Sequence, residues 1–504
     1  MKRRVVLFSV LLGACGGARQ APVEPRPAAP AAATSEPGRL PGEQVLDPRP
    51  AIPPLGAFTA PVPRELTLEN GLRLVIVERA GAPIEALALV VRRGSSFDPA
   101  GKAGLASITA AMLETGAAKK TQAQLAQQAD AMGAALRTGA DPDAITLSIS
   151  APPARLEPMA SLLADIVLRP TFDPAEWKKL QAQRVAQLTE GLANPRVAAA
   201  NAFAAAIYFD GPLGHPAEGT PGTVQALKLD DLRRLWSGVG PADATLIAVG
   251  AASAGEVQKL ASSLFGGWKT RAVAAAVKTP VPGWPPVIRS ALRRPRLVLV
   301  ELPGRPQTVL RVGQPSVPLA SPDAMALRLL NSVLGGSFTS RLNANLREKN
   351  GFTYGAGSQF SFGRGDGPFF ASTSVKTEVT GLALREILHE LQRIIDEPLS
   401  TADLDKGKAL LAYRLVDDLQ TAEGTASLVG ELVASGVGLD WLSTVLPRLQ
   451  ALTAADVQAA GQRALDPATM TVTVAGDPGV LAQLAQAGVT MPAPERRTAT
   501  GAKR

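Results

Sequence analysis

One succession of strand-like and helix-like segments occurs twice along this chain. That repetition limits its fold more than any other feature. Residues 72–77 are answered by 297–301, 84–91 by 307–312, and the helix-patterned stretch 101–114 by 324–334. Residues 229–236 followed by 244–249 are answered by 454–464 followed by 470–475. The offset is about 220 residues throughout, which marks a duplicated domain. Each copy mixes hairpin strands with amphipathic helices. The fold class is therefore α+β: two tandem homologous domains, each a largely antiparallel sheet packed with helices.

The rest of the chain fits around this duplication. Residues 66–69, the Asn70-Gly71 turn and 72–77 read as a hairpin. Residues 121–132, 156–168, 174–192, 199–208 and 256–265 read as helices, and 144–150 as a strand. Pro280, Pro282, Pro285 and Pro286 mark an interdomain linker. The expected organisation is a first domain over 61–272, a linker over 273–292 and a second domain over 293–485. Residues 16–60 are rich in Pro and Ala and read as a tether that buries too little apolar surface to fold. The formal net charge is +8, but the ends hold most of it. Residues 1–4 carry Lys2, Arg3 and Arg4, and the tail 486–504 carries Arg496, Arg497, Lys503 and Arg504 against Glu495. The body is nearly neutral, so nucleic acid is not an expected partner and the tail reads as a solvated basic end.

Cys15 is the only cysteine, which excludes an intramolecular disulfide. It follows a positive MKRR segment, a short apolar run over 5–12 and Leu12-Gly13-Ala14. This resembles a bacterial lipoprotein signal over residues 1–15, cleaved before Cys15, whose thiol then takes a diacylglycerol. The resemblance implies an exported, lipid-anchored protein of the cell envelope. Gly16 after the cysteine, in place of an Asp, points to the periplasmic face of the outer membrane.

The helix-patterned stretch 101–114 has Leu105, Ile108, Met112 and Leu113 on one apolar face. Its lead-in, RRGSSFDPAGKAGLA, resembles the pitrilysin/insulinase family of metallopeptidases, the inverzincins. In that family this helix carries H-x-x-E-H, two zinc ligands one turn apart with a catalytic Glu beside them. Here the matching residues are Ser107, Ile108, Thr109, Ala110 and Ala111. The family's third ligand, a Glu on a later helix, aligns with Gln187, whose neutral amide is a poor zinc ligand. The chain has two histidines, His215 in an LGHP loop and His389 on a helix of the second domain, and they are too far apart to form the adjacent pair. Ser107 lacks the nearby base and the G-x-S-x-G elbow a nucleophile needs. No metal site is expected in this chain.

The second domain carries LGGSFTSRL followed by LREKNGFTY, residues 334–342 and 346–354. Leu342 and Leu346 sit one helical turn apart, Gly351 suits the helix end, and a strand is expected over 352–360. Arg347 and Tyr354 would then lie on either side of one corner. The stretch resembles the family's C-terminal motif, in which an Arg and a Tyr contact the substrate backbone and steady the developing oxyanion. A guanidinium and a phenol are both donors suited to a carbonyl oxygen gaining charge.

The resemblance covers roughly residues 60–485. It implies half of a two-part peptidase shell, inactive alone. The expected function is a non-catalytic, lipid-anchored subunit of a heterodimeric zinc peptidase. Arg347 and Tyr354 would act in trans on a peptide held by a homologous, zinc-bearing partner; a homodimer is the other pairing. The zinc belongs to the partner. The alternative is an envelope binding or scaffold lipoprotein with no role in proteolysis.

Overall fold

The computed structural model describes residues 58–269 and 294–504. The signal segment, Cys15, nearly all of the tether and the linker lie outside the described residues.

Two six-stranded sheets carry the chain. The first half begins with β1 (Arg64–Thr67), β2 (Arg73–Glu78), β3 (Glu85–Val91) and α1 (Leu105–Leu113). A short hairpin, β4 (Gly116–Ala117) and β5 (Lys120–Thr121), leads to α2 (Gln122–Ala131). Next come β6 (Ala135–Ala140), β7 (Ile145–Ala151), α3 (Leu156–Leu168) and α4 (Pro174–Gly191). The half closes with α5 (Pro195–Ile207), α6 (Pro221–Ala226), α7 (Leu229–Ser237), β8 (Ala244–Gly250) and α8 (Ala254–Phe265).

The second half opens with β9 (Arg296–Glu301), β10 (Gln307–Pro315) and α9 (Ala324–Leu334). After it, α10 (Arg341–Asn343) runs into a π-helical turn, Ala344–Lys349. Then follow β11 (Ala356–Phe360), β12 (Pro368–Lys376), α11 (Thr380–Asp396), α12 (Thr401–Gln420) and α13 (Ala422–Ser435). The chain ends with α14 (Trp441–Ala451), α15 (Ala454–Ala464), β13 (Thr471–Gly476), α16 (Val480–Gln486) and β14 (Glu495–Arg496).

The first sheet runs β1-β2-β8-β3-β7-β6 and the second β11-β12-β10-β13-β9-β14. Read in opposite directions the two orders match for five strands, β2-β8-β3-β7-β6 against β9-β13-β10-β12-β11, which is the duplication in three dimensions; the edges differ, since β1 pairs antiparallel with β2 and β14 parallel with β9. All pairs in the first sheet are antiparallel except β2 with β8. The second repeats that parallel pair as β9 with β13. One face of the first sheet packs on α1, α3, α7 and α8 around Leu74, Leu89, Leu147, Ile108 and Leu163.

The other faces are covered by exchange. From the first half, α5 lies across β10, β13 and β9, while α13 of the second half lies across β3 and β8. Every residue of β3 and β8 is buried as a result. The exchange fuses the halves into one unit, Pro54–Arg504. Polar contacts reinforce it. Arg79 donates to the carbonyls of Leu419 (2.7 Å) and Gln420 (2.9 Å), a cation on the C-terminal end of α12. Tyr208 Oη donates to the carbonyl of Asp366 at 2.8 Å. Over the β6–β7 end of the first sheet, beyond α13, lies a cavity of about 1130 Å³ lined mainly by small residues such as Ala86, Ser148, Gly363 and Ser427.

The tail corrects the expectation of a solvated basic end. β14 adds to β9, and Arg497 has no solvent exposure. Its guanidinium donates to Asp210 Oδ1 (2.7 Å), Glu495 Oε1 (2.7 Å) and the carbonyl of Gly501 (2.5 Å). A buried guanidinium persists only with its charge and donors answered, and these partners answer them. Among the described residues no helix is long and apolar enough to cross a membrane.

Candidate functional site

The lead-in to α1 is held by backbone contact. Gly104 takes φ +95° and Gly219 φ +79°, in the left-handed region that favours glycine. A Cβ on Gly104 would stand 2.6 Å from the carbonyl oxygen of Glu218, and one on Gly219 would stand 2.3 Å from that of Ala103. Two loops thus touch main chain to main chain. Asp98 closes the start of the helix, accepting from the amides of Gly104 (2.8 Å) and Ala106 (2.9 Å). Burial pushes its carboxyl up to about 7, against the pull of these amides. The helix itself begins at Leu105, later than the 101–114 pattern indicates, because residues before Gly104 form this turn.

On α1, Ile108, Ala110, Met112 and Leu113 are fully buried, while Ser107 and Ala111 are half-exposed on the outer face. Arg184 of α4 reaches across to that face, and its Nη1 donates to Ser107 Oγ at 3.0 Å. The helix α4 is fixed by Gln181, whose amide donates to the carbonyls of Val224, Gln225 and Leu227 around the end of α6. Gln187, one turn past Arg184, is exposed and lines a cleft of about 260 Å³ with Leu188, Val197 and Glu218.

These residues do not fit a zinc ion. Ser107 offers a neutral hydroxyl, Ala110 and Ala111 offer methyl groups, and Gln187 offers an amide. The guanidinium of Arg184 also places a positive charge on the very hydroxyl a metal would use. Among the described residues no group of three His, Cys, Asp or Glu side chains is placed to hold a metal. His215 Nδ1 lies 3.1 Å from the carbonyl of Pro216, and His389 is exposed on α11.

In the second half, Leu342 and Leu346 are fully buried and anchor the segment that carries Arg347. Gly351 takes φ +65° and ends the π-turn, with the Phe352 amide donating to the Leu346 carbonyl at 2.9 Å. The strand expected over 352–360 starts only at Ala356. Side chains capture the backbone before it: the one proton of Thr353 Oγ1 is shared between the carbonyls of Gly355 (2.9 Å) and Ser374 (2.8 Å), and Asn343 Oδ1 accepts from the Ala356 amide at 2.8 Å. This corner projects Tyr354, whose residue is 94% exposed.

Arg347 and Tyr354 are both at the surface but are not joined to each other. The Arg347 guanidinium lies over the ring of Phe338, 4.6 Å from its centroid, with Glu348 Oε1 at 3.3 Å. Phe338 is 68% exposed, so the cation and two exposed rings decorate one motif. Neither Arg347 nor Tyr354 contacts Ser107, Ala110, Ala111 or Gln187. The two regions are tied through α5 instead: Arg196 at its start donates from Nε to Ser374 Oγ at 3.0 Å, and Thr353 bonds the carbonyl of that same serine. Arg184, Asp98 and Phe338 went unread in the sequence. The signal for Arg184 was its spacing of three on each side from Gln181 and Gln187, a polar stripe on one face of α4.

The insulinase (peptidase family M16) model matches residues 73–220, and the model described as the peptidase M16 inactive domain matches 227–411. An uncharacterized zinc protease of Streptomyces coelicolor is 26% identical over 52% of this chain, a match spanning 57% of that protein, less than two thirds of its length. One of Bacillus subtilis is 22% identical over 68% of this chain and 79% of its own. The crystal structure of a peptidase M16 inactive domain from Pseudomonas fluorescens superposes with a TM-score of 0.75 at 24% identity, covering 82% of this chain and 98% of that one. The duplicated sheets, the glycine-held lead-in to α1 and these matches agree: the chain belongs to the insulinase (M16) peptidase family, as a member that has lost the zinc motif.

Proposed function

We propose that this chain is the non-catalytic, lipid-anchored subunit of a heterodimeric zinc peptidase of the cell envelope. A homologous partner supplies the zinc, and this chain supplies Arg347 and Tyr354 to the peptide bound there. The observation that carries the reading is Tyr354, almost fully exposed, its hydroxyl unpartnered among the described residues, on a corner fixed by Thr353 and Asn343. A phenol held out on a rigid corner is a donor pre-positioned for something outside the chain. Arg347 adds a guanidinium whose one carboxylate neighbour, Glu348, is itself exposed. The lost metal ligands support inactivity of the chain alone.

Reconstitution tests this. The purified chain should hold no stoichiometric zinc and cut no unstructured peptide. Mixed with a two-domain homologue bearing an intact H-x-x-E-H, it should give activity that neither has alone. Stoichiometric zinc in this chain, or a partner equally active without it, would overturn the proposal.

A second reading, an envelope binding or scaffold lipoprotein without proteolysis, is favoured by the cavity of about 1130 Å³ between the β6–β7 face and the second half. Its size is ample for a ligand. That reading requires a stable complex that never shows peptidase activity.

A further inference from the structure

We infer that the face which lost its metal has become a carboxylate-binding site built on Arg184. Three observations carry this. First, Arg184 is half-buried, and among the described residues its one hydrogen-bond partner is neutral, the hydroxyl of Ser107 at 3.0 Å. Among the described residues no carboxylate lies within ion-pair distance of it, whereas Arg296 and Arg463 each meet one at 2.6 Å. A guanidinium carries five donors in a planar fork that matches a carboxylate, and most of these have no acceptor among the described residues. Second, the Ser107 bond fixes the fork against α1, so little of its freedom remains to be lost on binding. Third, Gln187 follows one turn later on α4, on the same face, and among the described residues its amide has no hydrogen-bond partner. It is a second donor beside the first. Ala111, half-exposed on the outer face of α1, adds no bulk beside them.

The site therefore keeps a positive centre, with no His or Glu on α1 at residues 107, 110 and 111, and what it can hold is an anion. The matching ligand is the carboxylate of a peptide, either an acidic side chain or a free C-terminus. Glu218, which lines the Gln187 cleft, sets one limit: it disfavours ligands with a second negative charge on that side. The inference does not depend on Arg347 and Tyr354 acting in trans.

The test uses the full chain alone in detergent with three fluorescent peptides of otherwise identical sequence. One is neutral with an amidated C-terminus, one carries a single internal Glu and an amidated C-terminus, and one is neutral with a free C-terminus. At least one carboxylate peptide should bind about tenfold more tightly than the neutral one, equivalent to ~1.4 kcal/mol. Which peptide gains identifies the source of the carboxylate. Arg184→Ala should abolish that preference without weakening the neutral peptide, Arg184→Lys should retain part of it, and Gln187→Ala should reduce it. Equal binding of all three peptides by the wild type overturns the inference without relying on any variant. A preference that survives Arg184→Ala in a folded protein overturns it too. Since no partner is present, neither result bears on the reconstitution experiment.

Discussion

Asn345 Nδ2 lies 2.8 Å from Glu390 Oε1, and both side chains are buried. The same amide donates to Glu386 Oε2 at 3.1 Å, and Asn345 Oδ1 accepts from Asn350 Nδ2 at 2.7 Å. Asn345 belongs to the π-turn that carries Arg347, while Glu386 and Glu390 belong to α11. One carboxamide therefore sets the π-turn against the helix beneath it. Such turns cost regular hydrogen bonding and persist where a specific interaction holds them.

Asn345→Ala should cost about 2–3 kcal/mol, because it leaves the buried Glu390 carboxylate without its close donor. Asn345→Asp should be worse, since it sets a carboxylate against Glu386 and Glu390. Urea midpoints measure both. A loss below ~0.5 kcal/mol for Asn345→Ala would mean that the network does not hold the turn.

Gly104→Ala and Gly219→Ala should each destabilise by about 2–4 kcal/mol, from left-handed strain plus a clash with main chain that cannot swing aside. Gly133 also has positive φ, at +63°, but a Cβ there would meet nothing within 4 Å. Gly133→Ala should therefore cost only the conformational part, about 1 kcal/mol. Thermal melting of the three variants separates strain from contact.

Stability should fall as pH rises from about 4 to about 7. Burial raises Asp98 from 3.8 to about 7 and Asp143 from 3.8 to about 6, so across that window the folded chain holds protons the unfolded chain has lost. Each group contributes at most ~1.4 kcal/mol per pH unit, and solvent contact at Asp98 keeps its share below that ceiling. Asp231 and Glu495 act oppositely. Burial raises the pKa of each, but Lys102 beside Asp231 and Arg296 beside Glu495, with their other hydrogen-bond and charge partners, outweigh it and leave both lowered, so the stability they lend is lost as pH drops below the ordinary carboxylate range. The melting temperature should peak at mildly acidic pH, and Asp98→Asn should flatten its decline toward neutrality.

What could be read from the residues was whatever periodicity encodes. The ends of α3 and α9 agree with the pattern because apolar residues recur at helical spacing between clear breaks. β6 escaped notice because Ala135–Ala140 is a polar edge strand made by its pairing with β7. The helix exchange was nearer to hand: α5 is Ala-rich and buried on most sides, and a helix apolar all round must be covered twice. Arg497 counted as surface charge because its partners, Asp210 and Glu495, are visible only in the fold. The lack of His and Glu at residues 107, 110 and 111 was legible in the sequence itself. That Arg184 reaches Ser107 was not, since the two are 77 residues apart in sequence.

Cys15 should carry the lipid. It lies outside the described residues, so the expectation rests on the N-terminal pattern alone. Cys15→Ser should move the protein from the membrane fraction to the soluble one, or halt its maturation with the signal uncleaved. A wild-type protein recovered soluble and without a diacylglycerol mass shift would refute the anchor.

Tyr354→Phe should be the most telling substitution in the reconstituted complex. It removes one hydroxyl from a side chain that makes no hydrogen bond among the described residues, and the residue is 94% exposed, so folding stability should be unchanged. If that hydroxyl donates to the oxyanion forming on the partner-bound peptide, its loss should lower kcat by about a hundredfold, or ~3 kcal/mol, with KM little altered. Arg347→Ala should lower kcat as well, but it also frees Phe338 from the guanidinium stacked on its ring. Any accompanying change in KM or assembly would then reflect that second contact. Size-exclusion chromatography of each mixture establishes that the complex still forms. Full activity from the double variant in an intact complex would remove both residues from the reaction and leave the binding reading in possession of this surface.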